Sequence, residues 1–91
     1  MKASISEYLQ SRRFNRKLFE RIVEAIEELQ FDATAELEMS AKTQSPLVVV
    51  RGRECDAAAD EIKHLLDQYF RVGGIYPKDD DTIHIYFEDQ Y

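Results

Sequence analysis

The sequence predicts an α+β domain: an antiparallel sheet of three to four strands backed by helices on one face. Three observations carry that reading. Residues 14–31 and 56–70 place apolar side chains at steps of three and four, the period of a helix with one buried side. TAELEMS at 34–40 and TIHIYFE at 82–88 alternate between apolar and polar, as half-buried strands do. The turn-forming stretches KTQSP and PKDDD each separate two such runs, which reads as two hairpins. The expected order is α(α)-β-β-α-β-β, in a single compact domain spanning 1–91.

Each element has its own local warrant. Ser4-Ile5-Ser6-Glu7 fits a capping box, in which hydroxyl and carboxylate satisfy each other's backbone amides, and it predicts a helix with Ile5, Tyr8 and Leu9 on one side. SRRFN interrupts that rhythm, so Asn15 either caps a second helix or marks a bend. From Phe14 onward, Leu18, Ile22, Ile26 and Leu29 form a stripe widened by Phe19, Val23 and Ala25. Arg16, Lys17, Glu20, Glu24, Glu27 and Glu28 are left facing water, and the helix is expected to end near Phe31.

In TAELEMS, Ala35, Leu37 and Met39 point one way, and Glu36 and Glu38 the other. LVVVR follows as a β-branched strand that tolerates Pro46 at its start. Gly52 breaks that strand and Asp56 is placed to cap the next helix. The buried side of that helix would comprise Ala58, Ala59, Ile62, Leu65, Leu66, Tyr69 and Phe70. Gly73-Gly74 is expected to stop it. Ile75-Tyr76 then reads as a short partner for 82–88, with PKDDD as the connection.

Composition narrows the class. With 44% hydrophobic and 33% charged residues the chain reads as globular rather than disordered. Its longest apolar run, LVVV, is far short of the ~20 residues that cross a bilayer. MKASISEYLQ lacks the apolar stretch of a secretion signal. Cys55 is the single cysteine, so no internal disulfide forms, and a cytoplasmic location is expected. The net charge of −6 is uneven: six basic residues against two acidic ones give +4 over residues 1–21, leaving −10 for 22–91.

The motifs of several enzyme classes are missing. The glycine pair follows a helix instead of opening one, no serine sits in a nucleophile elbow, and one cysteine with two distant histidines makes no zinc finger. Cys55 beside Arg51 and Arg53 is the best nucleophile on offer. Glu54 and Asp56 oppose its activation, and a buried structural cysteine is preferred. His64 has Asp60 and Asp67 within a helical turn, the pattern of an exposed, mildly paired histidine. DDDTIH carries carboxylates next to His84. Consecutive aspartates do not aim at one ion without unusual backbone, so a solvated turn is the preferred reading. No cofactor, metal or catalytic residue is predicted, and the chain is read as a non-enzyme.

Function is therefore argued from charge. Glu36 and Glu38 on the strand, with Asp79, Asp80 and Asp81 at the hairpin tip, are the expected contact surface for a larger protein with a basic, nucleic-acid-binding region. In size, acidity and lack of a catalytic motif the chain resembles small phage- and mobile-element-encoded inhibitors, anti-CRISPR and anti-restriction proteins among them. That likeness implies a DNA-mimic inhibitor and assigns no residue a role. The rival reading is direct nucleic-acid binding through Arg12, Arg13, Arg16 and Lys17. A homodimer paired along the edge of strand 82–88 fits either reading.

Overall fold

Seven elements are formed by residues 1–6 and 16–88, which the computed structural model describes. They are β1 (Lys2–Ile5), α1 (Arg16–Glu27), β2 (Thr34–Met39), β3 (Pro46–Arg51), α2 (Cys55–Asp67), β4 (Arg71–Asp79) and β5 (Thr82–Glu88). The α+β class holds, with five strands and two helices in the order β-α-β-β-α-β-β. The strands lie in one sheet, ordered β1-β2-β3-β5-β4.

The sheet is mixed rather than purely antiparallel. β1 runs parallel to β2, and the other neighbours are antiparallel. The expected N-terminal helix is thus corrected at its start, because Ser4 lies in β1 opposite Glu36 and not at a helix N-cap. A helix over 1–5 would leave Ala3 and Ile5 without the apolar wall they find beside Ala35 and Leu37. Residues 7–15, including Tyr8, Leu9 and the proposed cap Asn15, lie outside the described residues.

Register explains which face is buried. Ala35, Val50 and Ile83 lie side by side across β2, β3 and β5, and Leu37, Val48, Ile85 and Ile75 form the next row. Both helices press on this face with Phe19, Ile22 and Ile26 of α1 and Ala58, Ala59, Ile62 and Leu66 of α2. One end of the layer is closed by three rings: Phe70 and Phe87 have centroids 4.8 Å apart, and Phe19 stacks on Phe70 at 5.8 Å.

Other boundaries also differ from expectation. α1 stops at Glu27, not Phe31, because its end carbonyls find other donors. The amide of Leu29 reaches Ile26 at 3.0 Å, and the Met1 ammonium donates to the carbonyls of Glu27 and Leu29. α2 ends at Asp67 on an αR residue, Gln68, so Gly73-Gly74 is not its stop. Those glycines lie inside β4, at a register shift between Val72 and Gly74. Likewise Pro77, Lys78 and Asp79 belong to the strand, leaving Asp80 and Asp81 as the turn. β5 is an interior strand between β3 and β4, so it offers no free edge, and the expected dimer contact along 82–88 is corrected. The outer strands are β1 and β4.

Candidate functional site

The acidic residues separate into two groups. Glu36 and Glu38 project from β2 onto the sheet face opposite the helices, with Val49 and Leu47 beside them on β3. Asp79 ends β4, and Asp80 and Asp81 form the β4–β5 turn. Three strand spacings, about 14 Å, separate β2 from β4, so the five carboxylates do not form one patch. Glu36 and Glu38 are half-buried. Burial, then the charge of Glu36 and the hydrogen bond that a protonated Glu38 donates to it, hold the Glu38 carboxyl above its usual range, and Arg51 opposes this.

The aspartate turn instead gathers a different set of acids. Gly52 marks the point where they meet. Its φ of +136° lies in a region that side chains disfavour, and a Cβ there would sit 2.6 Å from both the Asp32 carbonyl oxygen and the Ala33 Cα. The Gly52 amide donates to the Asp81 carbonyl at 2.9 Å, tying the end of β3 to the turn. Glu54 occupies the N-cap position of α2 but makes no side-chain cap. Its carboxylate accepts from the Asp32 amide at 2.8 Å, while its own amide donates to the Asp32 carbonyl at 3.1 Å.

Asp56 therefore does not cap α2, as the sequence had led one to expect. It sits in the first turn, where a negative charge complements the helix dipole. Asp79 accepts the Asp81 amide through Oδ1 at 2.8 Å, a local turn bond that explains why aspartates stand here. One end of the sheet thus carries Asp32, Glu54, Asp56, Asp79, Asp80 and Asp81, all exposed, on segments hydrogen-bonded to one another. Arg51 and Arg53 stand among them. Asp32 and Glu54 escaped the sequence reading as partners because only tertiary hydrogen bonds join them, and the one available hint was the break at Gly52.

The other candidates resolve differently. Cys55 is 1% exposed, and its thiol is pushed up by burial and by the nearby charges of Asp56 and Asp81. Its Sγ lies 3.9 Å from the Asp80 carbonyl oxygen, under the acidic turn. This is the buried structural cysteine and not an activated one. His64 is exposed, and the Asp67 carboxylate is taken by Lys63 at 3.0 Å. Among the described residues no three His, Cys, Asp or Glu side chains gather as a metal ion would require. No helix among them is long and apolar enough to cross a membrane.

Of the basic group, Arg12 and Arg13 lie outside the described residues. Arg16 and Lys17 open α1, exposed, and Arg16 pairs with Glu20 at 3.5 Å on the same helix. His84 lies on the face opposite α1 and α2, between Val49 and Tyr76, as the alternation predicts. Burial, with help from Lys78 and Arg51, pulls its imidazole below the ordinary value, so it is neutral at pH 7. Beside it, Tyr86 meets Tyr76 edge-on at 5.7 Å. Compared with known proteins, the chain matches no family model, no curated protein and no solved structure.

Proposed function

We propose that this chain is a small acidic, non-enzymatic binding protein that occludes a basic surface of a nucleic-acid-handling protein, in the manner of DNA-mimic inhibitors such as the anti-CRISPR class. The observation that supports it is the convergence of Asp32, Glu54, Asp56, Asp79, Asp80 and Asp81 at one end of the sheet. A flexible acidic tail would lose much of its attraction to the entropy of ordering on contact, whereas carboxylates on mutually bonded segments present their charge without that loss. Fixed negative charge steers a basic partner and repels nucleic acid.

Within this reading Asp79, Asp80 and Asp81 remain contact residues. Asp32, Glu54 and Asp56 join them in place of Glu36 and Glu38, which are half-buried and lie beside Arg51. The rival, nucleic-acid binding through Arg12, Arg13, Arg16 and Lys17, draws no support from the pairing of Arg16 with Glu20.

The test is affinity capture from a nuclease-treated lysate, using wild type and the D79K/D80K/D81K variant. The reading expects a nucleic-acid-binding protein held by wild type, displaced by duplex DNA and by salt, and lost on charge reversal. Equal capture by both proteins would refute it. Salt-dependent binding of the purified wild-type protein to labelled duplex DNA would move the function to the basic group.

A further inference from the structure

The sheet face opposite α1 and α2 carries a second feature, towards the β4 edge and away from Glu36 and Glu38. Tyr76 is 51% exposed. Its position is built. The ring folds back over Gly74 on its own strand, so closely that a Cβ at Gly74 would lie 2.8 Å from the phenolic oxygen and 2.9 Å from Cε2 and Cζ. Tyr86 on β5 braces it edge-on, and the Lys78 ammonium lies over the ring, 5.9 Å from its centroid. Gly74, which ends no helix, thus makes room for a ring to lie along the strand.

Around this ring lies a shallow hollow of about 440 Å³, lined by Thr43, Ser45, Gly73, Tyr76, Lys78 and Tyr86. Its lining contains one cation and no carboxylate, in a chain of net charge −6. A flat π surface, a single ammonium and the hydroxyls of Thr43 and the tyrosines recognise a planar aromatic group that carries negative charge. We propose that the hollow between Tyr76, Tyr86 and Lys78 is a nucleotide-binding site, in which a phosphate draws the Lys78 ammonium off the Tyr76 ring and a base stacks in its place. The chain's net negative charge opposes a long polyanion, so the ligand is a mononucleotide in preference to a strand. This inference stands apart from the acidic end, and either can fail without the other.

The experiment is an NMR titration of the full chain with adenosine monophosphate and, separately, with a short single-stranded oligoadenylate. The expected result is saturable shifts confined to β4, β5 and the 43–45 turn, with the mononucleotide sufficient. Tyr76→Ala should weaken binding about fivefold or more, the scale of one lost base–aromatic stack. Lys78→Ala should weaken binding in a salt-dependent way.

Gly74→Ala is the more telling variant. The atoms it meets are the far end of a flexible side chain, so the fold survives while the ring is displaced, and binding should fall with a well-dispersed spectrum retained. Shifts with the oligonucleotide alone would overturn the proposed mononucleotide site. No shifts with either probe, or wild-type affinity in Tyr76→Ala, would overturn the proposal.

Discussion

Replacing Gly52 with alanine puts the construction of the acidic end to a quantitative test. Two costs add. At φ +136° a side chain is strained, on the order of 1–3 kcal/mol. The new methyl would also lie 2.6 Å from the Asp32 carbonyl oxygen and from the Ala33 Cα. Both are backbone atoms, so relief requires the 32–33 segment to move, which also pulls at the Asp32–Glu54 pair. Overpacking of this kind costs roughly 1–3 kcal/mol. The sum, about 2–6 kcal/mol, is a large share of the ~5–15 kcal/mol that holds a small domain together.

Thermal unfolding followed by circular dichroism should show the midpoint falling by about 10 °C or more, since each kcal/mol is worth roughly 4–8 °C at this size. Gly73→Ala is the matched control. Its Cβ would meet nothing nearer than the Tyr86 carbonyl oxygen at 3.7 Å, an ordinary contact. It should be neutral or slightly stabilising through the unfolded chain. A Gly52→Ala midpoint within about 5 °C of wild type would refute the reasoning, as would equal damage from the control.

Two further expectations follow from titrating groups. A carboxyl whose folded pKa is raised binds protons more tightly in the native state, so the stability it subtracts grows as pH rises from its ordinary value of 4.5 through the folded value. Glu38→Gln should therefore stabilise the protein at neutral pH, with the gain vanishing below that window; denaturant midpoints at several pH values would show it, and a pH-independent gain would contradict the assignment. Cys55, enclosed and pushed up, should resist thiol reagents in the folded protein at neutral pH and react on addition of denaturant. Rapid stoichiometric labelling without denaturant would reverse the reading of Cys55 as structural.

Periodic segments were legible in the sequence, and segments that depend on distant partners were not. The stripe of Ile22 and Ile26, the alternation around Leu37 and Ile85, and the apolar side of α2 were readable because burial itself sets their spacing. β1 was hidden. Four residues carry too little alternation to announce a strand, and the local capping pattern from Ser4 to Glu7 competed with it. Parallel pairing to Thr34–Leu37, a tertiary contact, decides for the strand.

Gly73-Gly74 departs from expectation for the opposite reason: glycine pairs commonly end helices, but here the pair lies within β4 and Gly74 leaves room for the Tyr76 ring. The aspartate turn is legible as turn chemistry, whereas its neighbours Asp32 and Glu54 are not, since no sequence pattern encodes a reciprocal pair of hydrogen bonds across loops.

The position of β5 inside the sheet has a consequence for how the chain assembles. β2–β3 and β4–β5 are each hairpins, able to form within microseconds from residues close in sequence. The sheet, however, is continuous only where residues 47–51 of one hairpin meet residues 82–86 of the other, on either side of the whole of α2. That seam closes a large loop before its contacts repay the entropy. α2 shortens the search by spanning the gap as a rigid rod with one apolar side. The central pairs Val48–Ile85 and Val50–Ile83 should thus govern how fast the protein folds, while the two turns govern little beyond their own hairpins.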